Sequence, residues 1–264
     1  MSSLALAVWI CGAVAAACWL ASVLTREYSW TDRAWSLAPV GYAWVFATRA
    51  DDLADDARAT LVAVLITLWG ARLTFNFARK GGYWRGGEDY RWAVLRRLLP
   101  GWRFAAFNLV FIAADQTALL LLLTRPVWTV ARTPGPVTAA DVVLAVVFVG
   151  LLVGETVADQ QRWNFHRRPP DGDGRNDGVL RTGLNRYSRH PNYFFEVAQW
   201  WVVVGFAAVA AGTRALPTAA GAVLLTLLFV GSTLFTEWIS LKRHPAYADY
   251  RRSTSMLVPW RPRR

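Results

Sequence analysis

The sequence predicts an all-α, polytopic membrane protein with seven transmembrane helices, and three observations carry that prediction. Of 264 residues, 55% are hydrophobic, 18% are charged and 15 are Trp, a composition richer in apolar and indole side chains than soluble domains usually have. Seven segments are apolar enough to cross a hydrocarbon core of roughly 30 Å: 4–24, 34–48, 59–77, 104–123, 140–158, 192–213 and 216–239. The third observation is charge sorting. The connections 78–103 and 159–191 and the tail after residue 240 hold seven Lys+Arg each, whereas the loop RADDLADDAR (49–58) has two Arg and four Asp. Lys and Arg accumulate in cytoplasmic loops, so seven crossings place the N-terminus outside the cytoplasm and the C-terminus within it.

Each segment adds detail. The first lacks a basic n-region and a small-residue cleavage site, so a retained helix is expected and not a removed signal peptide. Cys11 and Cys18 lie seven apart on one face of it and are expected to pack; two cysteines draw no metal framework. The second segment is the shortest. The later ones carry polar groups, which are expensive in a bilayer and mark cavities or helix contacts. Segment three has Arg72 and Asn76, four apart, and segment four has Asp115 and Gln116. Segment five ends with Glu155, Asp159, Arg162 and His166, whose spacings of 4, 3 and 4 stack them on one helical face. Segment six opens with Asn192, Glu196 and Gln199, again spaced 4 and 3, and segment seven closes with Glu237.

The two aligned faces are joined by the 159–191 connection. There Pro169-Pro170 is expected to stop the extended helix and DGDG to turn the chain. Arg181, Arg186, Arg189 and His190 follow, interleaved with Tyr187 and Tyr193. Guanidinium groups bind phosphate through paired hydrogen bonds and tyrosine rings offer faces for stacking. The N-terminus of segment six adds free backbone N–H groups behind Pro191. The tail repeats the basic-aromatic theme with Tyr247, Tyr250, Arg251 and Arg252, and Trp260 is expected at the interface. A phosphate-bearing nucleotide at the membrane surface, reaching down toward Asp159, Asn192 and Glu196, is the ligand this pattern predicts. The net charge of +11 is chiefly a sidedness signal and partly an attraction to lipid headgroups. A nucleic-acid partner is not expected, because no soluble basic domain exists to carry it. Without repeats, low-complexity tracts or linkers, 1–264 reads as one domain.

The stretch GLNRYSRHPNYFFE, the following apolar helix, Glu237 and YADYRRSTSMLVPW resemble the DUF1295 family, among the steroid 5α-reductase-like membrane proteins, most closely over about 155–260. The resemblance implies a seven-helix membrane reductase that takes hydride from NADPH and delivers it to a carbon-carbon double bond conjugated to a ketone. It divides the chain into substrate-side helices (1–150) and cofactor-binding helices with the tail (151–264). Asn192 and Glu196 match the family's nicotinamide-contacting pair, and Asp159 matches its Asp at the end of the fifth helix. Arg162, Arg181 and Arg189 are the candidates for the adenosine phosphates, and Tyr250, Arg251 and Arg252 occupy the matching tail. With them the expected cofactor set takes in Arg72, Glu155, Tyr187, His190, Glu237 and Tyr247. On the substrate side, DRAWSLAP puts Asp32 where the family has a ketone-binding Glu, and WGAR puts Trp69 where it has a Tyr. A protonated Asp32 is then the expected donor at the ketone oxygen. Trp69 donates only an indole N–H, and Tyr42 is the candidate replacement for the lost phenol.

The expected partners are membrane lipid and a small hydrophobic enone, 3-oxo-Δ4-steroid-like or another lipid, with the protein as a monomer and its cofactor site facing the cytoplasm. An S-adenosylmethionine-dependent methyltransferase of the isoprenylcysteine or phospholipid type is the alternative enzyme. The arginines from 162 to 189 exceed what its nucleotide requires. A non-enzymatic lipid-binding protein or transport path is the third reading, and the inverted repeats and broken helices typical of transporters are not apparent.

Overall fold

The computed structural model describes residues 1–48, 57–99, 101–167 and 177–263. Among them the chain is helical, and six helices are long and apolar enough to cross a membrane: Ser3–Thr25, Ala57–Arg79, Trp102–Ala131, Ala139–His166, Pro191–Ala211 and Arg214–Arg243. The described residues fall into two compact units, one made of 1–146 with 201–224 and the other of 147–200 with 225–264.

In the first unit, α1 (Ser3–Thr25) starts at Ser2, whose hydroxyl accepts from the backbone N–H of Ala5 as an N-cap. Cys11 and Cys18 are both buried along it, and the Cys11 thiol donates to the Thr117 carbonyl at 3.4 Å. The predicted second segment, 34–48, is not one crossing helix. It divides between the end of α2 (Trp30–Trp35) and α3 (Ala38–Thr48). Pro39 accounts for the break: it has no N–H to donate, so it fits only the first turn of a new helix. With 11 residues, α3 is about 16 Å long, short of the hydrocarbon thickness.

α3 is held against α4 (Ala57–Arg79) by close approach and by polar clips. Trp44 donates its indole N–H to Thr67 at 2.9 Å, and Ser36 and Thr74 share a hydrogen bond of 2.7 Å. Between them sits Gly70, where a Cβ would meet the Ser36 carbonyl oxygen at 2.7 Å and Val40 at 2.5 Å. Only glycine lets α4 come this near. A short helix α5 (Tyr90–Leu98) follows, then α6 (Trp102–Phe107), a π-helical stretch Asn108–Asp115 and α7 (Gln116–Ala131). Asn108, at the start of the wide turn, donates to the Ser22 hydroxyl on α1 at 2.8 Å. Of the polar pair predicted here, Asp115 is exposed and Gln116 buried.

α8 (Ala139–His166) runs from the first unit into the second, extending well beyond the predicted 140–158. Its aligned polar residues therefore lie on a continuous helix, as their spacing requires. The Pro169-Pro170 stop and the DGDG turn lie outside the described residues. In the second unit the residues from Asp177 onward include a 3₁₀ turn at Gly183–Arg186. The chain then enters α9 (Pro191–Ala211), with Pro191 at the first position. α10 (Ala220–Arg243) and α11 (Tyr247–Ser253) complete the chain before the tail.

Candidate functional site

The second unit gathers an unusual number of buried polar side chains. Glu155 and Asp159 on α8, Glu196 and Gln199 on α9 and Glu237 on α10 are all at least 96% buried. Gln199 donates its amide to Glu155 at 2.8 Å and Trp200 donates its indole N–H to Glu196 at 3.3 Å. The two polar faces expected on segments five and six thus meet directly, through Gln199 and Glu155.

Glu237 is the hub. Arg189 donates through Nε to Oε1 at 2.6 Å and through Nη2 to Oε2 at 3.1 Å, the two-pronged geometry that matches guanidinium to carboxylate. Tyr247 donates its hydroxyl to Oε1 at 3.3 Å, His190 Nε2 stands 3.3 Å from the same oxygen, and Arg251 Nε lies 3.5 Å from Oε2. The remaining prong of Arg189 donates to the carbonyls of Arg251 and Thr254. So Arg189, expected to clasp a phosphate, is turned inward and holds the tail against α10. Neighbouring backbone explains why: the tail runs beside 187–190, with Arg189 N–H donating to the Ser255 carbonyl at 2.8 Å and His190 N–H to Met256 at 3.2 Å. The N–H of Trp260 then donates to Tyr187 at 2.9 Å, and the Ser188 hydroxyl donates to Leu257 at 2.6 Å.

The other basic and aromatic candidates occupy a more open face. Arg181 is exposed, paired with Asp177 at 2.5 Å and donating to the Ala246 carbonyl at 2.9 Å. Arg186, Tyr187, Arg251 and Arg252 are exposed, and Arg252 pairs with Asp249. Arg162 is half-buried near His190, lowering the imidazole's affinity for a proton. Tyr187 lines a groove with Pro259, Trp260 and Arg261. Tyr250 is buried, its hydroxyl donating to the Asn185 carbonyl at 2.5 Å, and burial pushes its pKa up to about 12. Tyr247 is pushed up too, by burial and by the Glu237 charge. Neither phenol is ionised near neutral pH.

His190 is 96% buried and stacks on Tyr193, ring centroids 5.5 Å apart; Tyr193 in turn packs on Phe229 of α10 at 4.7 Å. Burial holds the imidazole below its usual range against the opposing pull of Glu237. Among the described residues no hydrogen bond reaches His190 Nδ1, the Gln199 carbonyl oxygen, or the hydroxyls of Thr233 and Thr236; His190 Nε2 faces Glu237. Thr233 lies one helical turn before Glu237 and one after Phe229, so these groups share the α10 face that Tyr193 packs against. Asn192, half-buried, opens α9 four residues before Glu196. The two threonines were not singled out from sequence, although their spacing from Glu237 was the available signal.

The substrate-side candidates all lie in the first unit. Asp32, half-buried on α2, accepts from the Trp92 indole N–H at 2.8 Å. Burial raises its pKa, and the nearby Asp89 charge raises it further. Tyr42, fully buried on α3, has a hydroxyl beside Cys11. Trp69 is buried on α4, and Arg72, half-buried, is on the same helix one turn on, apart from the other cofactor candidates, which are all in the second unit. Asp32 and Tyr42 lie near Cys18 and Cys11 respectively, which are two turns, or about 10 Å, apart along α1. Trp92 was missed: nothing local in the sequence announces a hydrogen bond across 60 residues.

The chain is 33% identical over 259 residues to an uncharacterized protein of Schizosaccharomyces pombe, an alignment covering 91% of this chain and 75% of that relative. No solved structure matches the chain. The family described as "Protein of unknown function (DUF1295)" matches residues 18–254. The chain belongs to the DUF1295 family.

Proposed function

We propose that the protein is an NADPH-dependent reductase of a membrane-soluble enone, with the nucleotide held by the second unit. One observation carries the reading. A buried polar cluster retains unspent hydrogen-bonding capacity, among the described residues, at His190 Nδ1, the Gln199 carbonyl oxygen, Thr233 and Thr236. Buried polar atoms in native proteins are almost always partnered, so a set of them on α9, α10 and the loop between α8 and α9 fits a polar ligand. A carboxamide and ribose hydroxyls supply the complementary donors and acceptors. Arg162 and Arg186 are the candidates to meet the phosphates, together with the exposed end of Arg251, whose Nε pairs with Glu237, since Arg189 is buried on Glu237 and Arg181 is paired with Asp177. When bound, the cofactor supplies a hydride. The chain supplies position: Glu155 fixes the Gln199 amide, and Arg189 with Tyr247 fixes Glu237. At the substrate, Asp32, whose pKa is raised by burial, is the proposed donor to the ketone oxygen.

The basic connections and tail are proposed to face the cytoplasm. They follow the second, fourth and sixth long helices, or the third, fifth and seventh crossings if α3 is counted, so they share one side in either count. Only the side of the N-terminus depends on α3: it is outside if α3 crosses, and on the cytoplasmic side if the six long helices alone cross.

The committed Arg189 removes one of the arginines that favoured NADPH over S-adenosylmethionine, so the ligand itself has to decide. In detergent, NADPH is expected to raise the melting temperature and S-adenosylmethionine to leave it unchanged, because a ligand bound only by the folded state stabilises by mass action. Stabilisation by S-adenosylmethionine alone would replace the reductase with a methyltransferase. Loss of NADPH absorbance across a panel of enones then identifies the substrate.

A further inference from the structure

Between the helices that end at Arg79 and begin at Trp102 lies a short surface segment whose exposed side chains are of two kinds. Trp84 is 75% exposed, Trp102 76% and Leu98 54%. Beside them in sequence stand the exposed Arg85, Arg103 and Arg97. The acidic groups within the segment are engaged with other partners. Glu88 accepts from the Tyr28 N–H at 2.7 Å and from Arg96 at 2.6 Å, and Asp89 caps α5 while pairing with Arg91 at 2.8 Å.

The exposure is built into the fold. Arg33, buried beneath the loop, donates to the carbonyls of Gly82 at 3.0 Å and Trp84 at 3.3 Å. It also pairs with Glu27 at 2.7 Å, and Glu27 accepts from the Gly86 N–H at 2.8 Å. The loop closes so tightly that a Cβ at Gly87 would meet the Gly81 carbonyl oxygen at 2.0 Å. Trp84 and Arg85 are therefore presented at the tip of a loop pinned from inside. α5 is anchored by the opposite face: Trp92, Leu95 and Leu99 pack on Phe104, Ile112 and Tyr28, leaving Arg97 and Leu98 outward.

We infer that this face, Trp84, Arg85, Arg97, Leu98, Trp102 and Arg103, binds the headgroup layer of an anionic phospholipid leaflet. Position and chemistry choose the occupant. The segment starts and ends at membrane-crossing helices, so it lies at the boundary of the bilayer. Indoles partition to that boundary and arginine forks match phosphodiester oxygens. A soluble acidic partner would leave two indoles and Leu98 unaccounted for. The inference is independent of the proposed reductase activity.

The test compares nanodiscs of phosphatidylcholine with nanodiscs containing phosphatidylglycerol. The anionic lipid is expected to raise the melting temperature, and the rise to shrink with added salt. In Arg85→Gln/Arg97→Gln/Arg103→Gln the rise should vanish while stability in phosphatidylcholine is kept. Apparent affinity for the anionic lipid should drop by roughly 10- to 100-fold. A triple variant that keeps the full rise, or a wild type with none, overturns the inference. Should the triple variant not fold, tryptophan quenching reads the same face. Brominated phosphatidylglycerol should quench more than brominated phosphatidylcholine in the wild type, and the excess should disappear in Trp84→Phe/Trp102→Phe. Equal quenching by the two lipids in the wild type is also decisive against it.

Discussion

Two buried arginine–carboxylate pairs, Arg58–Asp141 in the first unit and Arg189–Glu237 in the second, do different work. In the first unit Arg58 donates to Asp141 at 3.0 Å and to the Pro136 carbonyl at 2.9 Å. The same Asp141 oxygen accepts from the Thr138 N–H at 2.8 Å and its hydroxyl at 2.7 Å, a capping box at the start of α8. That pair joins two helix beginnings and is explained by them. In the second unit Arg189 and Glu237 join a loop, α10 and the tail, and the groups around them include buried atoms with no hydrogen-bond partner among the described residues. The first pair is built from helix ends and leaves Asp141 Oδ1 without a hydrogen bond among the described residues; around the second, such atoms lie on three separate segments, at His190, at Gln199 and at Thr233 with Thr236, and that convergence is where a ligand is to be sought.

The largest effect expected from this contrast is at Glu237. Glu237→Leu leaves Arg189 buried without a counter-charge, a loss of about 3–5 kcal/mol, seen as a large fall in melting temperature or failure to fold in detergent. Replacing both partners, Arg189→Met with Glu237→Leu, should restore much of that stability, since apolar substitution of a complete pair is often neutral. If the reductase reading holds, the double variant folds and no longer responds to NADPH.

Arg58→Met should cost less, about 1–3 kcal/mol, because Asp141 keeps both Thr138 donors. The comparison breaks if this variant is as damaging as Glu237→Leu. It sharpens if Arg58→Met alters stability and leaves the NADPH-dependent shift untouched.

A smaller effect is expected at Trp92, whose indole N–H donates to Asp32. Trp92→Phe removes one hydrogen bond, about 1 kcal/mol. A donor to a carboxylate favours its charged form, so its loss should move the already raised Asp32 pKa higher still. Stability contributed by a raised carboxyl pKa is full below the unfolded value and is lost as pH rises through the folded one, so the variant's window extends to higher pH. An infrared carboxyl titration, with Asp32→Asn identifying the band, measures the shift. A pKa that moves down would show that Trp92 is not the group supporting the charge.

What could be read in advance followed from local physics. The long spans are composition and length, the α8 polar face is spacing, and the sorting of basic loops is charge. Pro39 was visible, yet its consequence for 34–48 depended on how closely α4 approaches, and that is decided by Gly70. Arg189 shows the limit most clearly. In RYSRHP it sits in a basic cluster next to a helix start and reads as a phosphate ligand, but its partners are Glu237 and the carbonyls of residues 251 and 254. Contacts made by backbone carbonyls some sixty residues away leave no residue-type signature, because every residue has a carbonyl.

The smallest predicted effect tests the same hub through its weakest member. His190 is buried against Glu237, Arg189, Arg162 and Tyr193, and burial keeps its pKa below the ordinary value of 6.5. As pH falls past 6.5 the unfolded chain takes up a proton at this position while the native ring does not, so the unfolded state binds more protons and stability falls with falling pH. The loss should begin near 6.5 and level off at the lower folded pKa. His190→Gln, which cannot titrate, should show a shallower decline of melting temperature between pH 6.5 and 5 than the wild type. In Arg189→Met/Glu237→Leu the histidine loses both Glu237, which raises its pKa, and Arg189, which lowers it; Glu237 is the larger influence, so the decline should continue to lower pH. Identical slopes in the wild type and His190→Gln would mean that the imidazole reaches solvent in the folded protein, and the buried hub would then be more open than its geometry indicates.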